Sequence, residues 1–126
     1  MLEVDRATRT ISGRAVPWDV VSLMANPKRA FHKDCLTWPE FVPLVIRHDK
    51  SLNVGRAIHL ESLPDGLYAT FRVRHGDPGD RALALAEIGW GLSVGLGSLD
   101  YTHVEVMWCT RGELAEISLV PEPAFP

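Results

Sequence analysis

A single hydroxyl in a run of glycines is the feature of this sequence with the most chemical content. In Gly91-Leu92-Ser93-Val94-Gly95-Leu96-Gly97, strand alternation puts Leu92, Val94 and Leu96 on one face and Ser93 among the glycines on the other. Glycine inside a strand is kept for a bulge, a bend or close backbone approach, so this face is either a corner crowded by neighbouring chain or a place where an extended substrate lies against Ser93. In the second case the hydroxyl is a nucleophile and needs a base. His48 closes the apolar run Val42-Pro43-Leu44-Val45-Ile46-Arg47-His48 and shares the parity of Leu44 and Ile46, which predicts a half-buried imidazole. A neutral ring accepts a proton near neutral pH and suits that role; the plain alternative is a strand-end histidine bonded to water or to Asp49. Glu116, in Leu114-Ala115-Glu116-Ile117-Ser118-Leu119-Val120, is either on a solvent-facing side or buried, and if buried it must find a partner. An imidazolium would serve.

The elements that must position these groups are mostly strands. Residues 67–74 alternate apolar and polar side chains, Val54, Ile58 and Leu60 share a parity, and the Pro64-Asp65-Gly66 turn between them predicts an antiparallel hairpin. Further strands are expected over residues 8–17, 42–48, 91–98, 102–108 and 114–120, with Arg111-Gly112 turning the last two into a hairpin. A helix is expected after Asp77 as N-cap, with Pro78 in its first turn, Asp80 near its positive end, a face of Leu83, Leu85, Ala86 and Ile88, and Gly89 as its stop. Residues 20–39 are punctuated by Asn26-Pro27, Lys28-Arg29 and Lys33-Asp34 and read as an irregular excursion with one short helical turn. The expected fold class is mainly β (α+β): a small closed or partly closed antiparallel barrel of about seven strands with one or two flanking helices.

Composition bounds what such a domain can do. The 126 residues fit one domain, 1–126, and 46% apolar against 23% charged residues is a globular composition. Thirteen basic and sixteen acidic residues give a net charge of −3, too mixed for an electrostatic nucleic-acid footprint. The four tryptophans, Trp18, Trp38, Trp90 and Trp108, are expected to pack rather than to stack on bases, since no basic stripe interleaves them. No apolar run approaches a membrane span, and Met1-Leu2-Glu3-Val4-Asp5-Arg6 does not open a signal peptide. Cys35 and Cys109, far apart and in no CxxC, suggest a reducing cytoplasmic compartment. The five histidines show no HxH or HxxxH spacing, so neither a metal nor another cofactor is expected, and His32, His59, His75 and His103 read as solvated.

In order and spacing, Val42-Pro43-Leu44-Val45-Ile46-Arg47-His48-Asp49, Val54-Gly55-Arg56-Ala57, Asp65-Gly66-Leu67, Gly91-Leu92-Ser93-Val94-Gly95-Leu96 and Glu116-Ile117-Ser118-Leu119-Val120-Pro121 resemble the prohead maturation proteases of tailed bacteriophages. The opening Ile11-Ser12-Gly13-Arg14-Ala15-Val16-Pro17-Trp18 is similar too, so the resemblance spans nearly the whole chain. It implies a fold related to herpesvirus assemblin, a catalytic pair of His48 and Ser93, and Glu116 as third member; should that role fall elsewhere, Asp49 and His103 are the next candidates in the sequence. It further implies a serine endopeptidase acting on capsid and scaffold proteins, and on itself, inside the immature prohead in the cytoplasm of the bacterial host, with dimerisation inherited from the fold. The rival from another class is an inactive protease-fold module serving as scaffold or capsid-associated structure. Arg47 stands where members of that family often carry Asn.

Overall fold

Alternating apolar side chains collect the strands into one mixed sheet, seen in a computed structural model that describes residues 1–22, 28–103 and 105–125. The elements in chain order are β1 (Glu3–Asp5), β2 (Thr10–Pro17), β3 (Arg29–Phe31), β4 (Leu36–Thr37), β5 (Pro43–Ile46), β6 (Asp49–Leu63), β7 (Gly66–Val73), α1 (Asp77–Glu87), β8 (Gly91–His103) and β9 (Met107–Val120). Hydrogen bonding orders them β1-β2-β7-β6-β5-β9-β3, with β4 and β8 also paired to β9.

The hub is β9. One of its edges carries β8 antiparallel along its length, from Gly91↔Val120 to His103↔Met107. The other carries β3, β4 and β5 in succession, all parallel to it. Three parallel pairings and an open sheet replace the closed or partly closed antiparallel barrel that alternation suggested. Among the described residues β8 pairs with β9 alone, and a cleft of about 660 Å³ is lined by Gly13, Ala15, Tyr68, Trp90, Leu92 and Phe125, among others. The core beneath joins Ile11, Leu67 and Phe71 to Leu44, Leu92, Leu114, Ile117 and Leu119, so distant strands share one apolar interior.

Several expectations need correcting. The expected strands at 102–108 and 114–120 belong to two long ones, and Arg111 and Gly112 do not turn the chain but pair with Asp100 and Leu99 inside β9. At Gly112 the packing is close, since a Cβ would lie 3.2 Å from Leu36 Cδ2. The excursion over residues 20–39 supplies β3 and β4, while its Asn26-Pro27 step lies outside the described residues. A bulge between Ala57 and His59 breaks the shared parity of β6, so Val54 is buried and Ile58 exposed. In α1 the N-cap is Gly76, at φ 88° and without a side-chain cap, rather than Asp77; Asp77 and Asp80 occupy the first turn. Its buried face is Gly79, Ala82, Leu83 and Ala86, a proper helical spacing, whereas Ile88 is exposed. It is the single helix among the described residues, and no helix there is long and apolar enough to cross a membrane.

Trp18 is buried with its indole N–H on the Leu63 carbonyl at 3.0 Å. The cysteines, remote in sequence, are neighbours: the Cys35 thiol donates to Cys109 Sγ at 3.4 Å, and both are free and buried. That bond, helped by burial, pushes the Cys35 thiol up, and the same bond holds the Cys109 thiol below its ordinary value.

Candidate active site

Cross-strand register assembles most of the site. Ser93 of β8 lies directly opposite Ser118 of β9, and Gly95 opposite Glu116, so all four positions share one face of the strand pair. Ile117 and Leu119 point the other way, into the core. The third group arrives over the far edge of β9, where β5 places Ile46 beside Leu119. Ile46 and Asp49 close a two-residue hairpin turn made of Arg47 and His48, whose φ values of 50° and 60° are both left-handed. Such a turn matches strand twist but normally takes Asn and Gly, so two bulky residues in it carry local strain that surrounding contacts must hold. Three contacts do so. The Arg47 N–H donates to the Leu119 carbonyl at 3.0 Å, the His48 N–H donates to Ser118 Oγ at 2.9 Å, and the Arg47 guanidinium lies 5.2 Å from the centre of the Trp90 ring.

The turn corrects the reading of His48 by parity: the ring is half-buried, its side chain 43% exposed, but the residue is not part of the strand, and the left-handed backbone aims the ring back across β9. There the His48 Nε2 stands 3.1 Å from Ser93 Oγ and its Nδ1 2.5 Å from Glu116 Oε1. Glu116 is 5% exposed, and its second oxygen accepts the Ser118 hydroxyl at 2.8 Å. Of the two readings open for Glu116, solvent-facing or buried with a partner, the structure has the second. A carboxylate on Nδ1 fixes the proton there and leaves Nε2 as an acceptor for the serine hydroxyl. The three sequence-selected residues, Ser93, His48 and Glu116, therefore form one hydrogen-bonded line.

The glycines around Ser93 do not form a single open trough. At Gly91 a Cβ would meet Pro123 at 2.8 Å, and at Gly95 it would fall 2.0 Å from Glu116 Oε1, whereas Gly97 has nothing closer than 3.7 Å. Gly95 thus makes room for the carboxylate that orients the ring, and the space beside Ser93 opens toward Gly97 in a groove of about 430 Å³ walled by Arg29, Phe31, Val94 and Leu99. Gly95→Ala is expected to displace the Glu116 carboxylate and break its bond to His48 Nδ1, whereas Gly97→Ala, whose added methyl meets only ordinary contacts, should leave that bond in place. The proton resonance of the His48 ring compares the two.

Other candidates fall elsewhere. Asp49 turns to its own strand, accepting the Ser51 N–H at 2.9 Å and the Ser51 hydroxyl at 2.6 Å, and these bonds, the hydroxyl's first, hold its carboxyl below the ordinary range. The side chain of His103, another candidate for the third role, lies outside the described residues. His32 and His59 are exposed, as expected of solvated histidines, with His32 stacked on Trp108 at 4.7 Å near Asp19 and His59 lying 3.6 Å from Glu61. His75 is exposed. Ser118 was not singled out by sequence, although its position two residues after Glu116 on one strand places both side chains on the same face. No protein-family model, no curated protein and no solved structure matches the chain.

Proposed function

We propose that this chain is a serine endopeptidase of the prohead-maturation kind, with Ser93 as nucleophile, His48 as general base and acid, and Glu116 as the group that orients the ring. The single observation that carries the reading is the line from Ser93 Oγ through both His48 nitrogens to the buried Glu116, at 3.1 and 2.5 Å. Ser93 Oγ attacks a peptide carbonyl as its proton passes to Nε2; the imidazolium, held by the Glu116 carboxylate, then returns that proton to the departing amine. Water repeats the two proton transfers in reverse order and frees the acid. The buried Glu116 carboxylate stands where it can hold the imidazolium formed with the tetrahedral species. The partial exposure of the ring fits a base that must face an incoming chain.

The resemblance to prohead proteases supplies the substrate class: segments of scaffold and capsid proteins, and of the chain itself, inside an immature phage shell in the bacterial cytoplasm. An assemblin-like fold and a dimer are part of the same proposal. The sheet's mainly β composition with one helix agrees with that fold at the level of class.

The test separates chemistry from substrate. Treating the protein with a fluorophosphonate should give one phosphonyl adduct per chain, located on Ser93 by mass spectrometry, with fluoride released and the serine proton taken by His48. His48→Ala should slow the labelling by at least about 10²-fold. Absence of an adduct on Ser93 would end the hydrolase reading, and an adduct without cleavage of a co-expressed scaffold and capsid precursor would end the maturation reading alone.

A further inference from the structure

We infer that Ser118 is a positioning residue of this site, tying the His48 main chain and the Glu116 carboxylate into one unit; the inference rests on the serine-hydrolase reading of Ser93. The residue is fully buried, directly opposite Ser93 across the strand pair. Its hydroxyl has one proton and two lone pairs, and all three are directed at the site. The proton goes to Glu116 Oε2 at 2.8 Å, one lone pair accepts the His48 N–H at 2.9 Å, and the other faces His48 Nδ1 at 3.2 Å. A serine kept only to fill a strand interior would spend its hydroxyl on a neighbouring carbonyl of its own strand or on another part of the core.

Each bond has a separate consequence. The main-chain bond holds His48 in a left-handed conformation that few non-glycine residues adopt. The bond to Oε2 restrains rotation of the carboxylate, so that Oε1 stays in line with Nδ1. The contact to Nδ1 gives the ring proton a second acceptor and further disfavours the tautomer that would carry the proton toward Ser93. Ser118 makes no hydrogen bond to the Ser93 hydroxyl and does not line the groove, so its removal should affect how the base is held and not how a ligand binds.

The experiment uses the full chain with the fluorophosphonate as probe and three readouts. In the parental protein the His48 amide should be protected from hydrogen exchange despite lying in an exposed turn, and the His48 Nδ1–H should give a far-downfield proton resonance. In Ser118→Ala the maximal phosphonylation rate should fall by about 10- to 10²-fold with the half-saturating probe concentration unchanged, and the downfield resonance should move or broaden; Ser118→Thr, which keeps the hydroxyl, should recover much of the loss. A parental rate in Ser118→Ala with an unmoved resonance overturns the inference, as does a His48 amide that exchanges at the rate of a free turn amide, a result that needs no variant to fold. If the parental protein takes no label on Ser93, the hydrolase reading fails, and the amide and proton readouts still decide whether Ser118 holds the ring.

Discussion

Ser93→Ala is expected to reduce cleavage of a scaffold and capsid precursor by about 10⁶-fold, to the level left by binding and transition-state contacts alone, while the protein stays folded. The size of the effect follows from the arrangement: His48 Nε2 has Ser93 Oγ as its partner, and with the hydroxyl removed the base and its orienting carboxylate have nothing to activate. The small cost in stability follows from the same geometry. Ser93 is partly exposed and its hydroxyl reaches a ring nitrogen that water can also reach, so the substitution leaves no buried group unpaired and should change stability by less than about 1 kcal/mol. Precursor processing followed on gels, alongside thermal unfolding of both proteins, reads the two quantities. Parental processing by the variant would remove Ser93 as the nucleophile; loss of the folded state would mean that the hydroxyl is structural, as expected of a crowded strand corner.

The ease of reading these residues from sequence differs, and the reasons are local. Ser93 and Glu116 sit where β8 and β9 pair in register from Gly91 to Gly95, so period-two alternation assigns their faces correctly. Alternation cannot say whether that face is wet or dry; the burial of Glu116 depends on the missing side chain of Gly95, a relation between residues far apart in the chain. The chemistry of His48 is legible in sequence but its geometry is not, because the left-handed Arg47 and His48 end the strand and re-aim the ring. Arg47 and His48 lack the Asn-Gly signature that marks such a turn, and the strain is carried by bonds to Leu119 and Ser118 that no local pattern announces. The reverse error occurs at Arg111 and Gly112, which resemble a turn but run through β9, where the glycine admits Leu36. The open sheet is hidden for a related reason: β3 and β4 lie in an excursion whose polar punctuation masks them, and β5, legible as a strand, joins β9 in parallel, a pairing that no local pattern announces.

Glu116→Gln should lower the rate of acylation and of precursor cleavage by about 10³- to 10⁴-fold, with binding little changed and the fold intact. The amide has nearly the shape of the carboxylate and keeps one polar atom toward His48 and one toward Ser118, so no buried group is left without a partner and the fold is expected to survive. Chemistry suffers for two reasons. If the amide oxygen faces His48 Nδ1, the ring keeps its useful tautomer but the imidazolium formed on proton transfer loses the full negative charge 2.5 Å away. If the amide nitrogen faces Nδ1 instead, that nitrogen must become an acceptor, the ring proton moves to Nε2, and the base can no longer take the proton of Ser93. Ser118 selects between these: its hydroxyl, which donates to Oε2 in the parental protein, would have to reverse to receive an amide N–H while still accepting the His48 N–H. Asp49→Asn is the matched control, because the Asp49 carboxylate is bound by Ser51 and should change the rate by less than about threefold. A variant pair in which Asp49→Asn is crippled and Glu116→Gln is not would transfer the orienting role to Asp49, and parental rates in both would leave Ser93 and His48 working as a dyad.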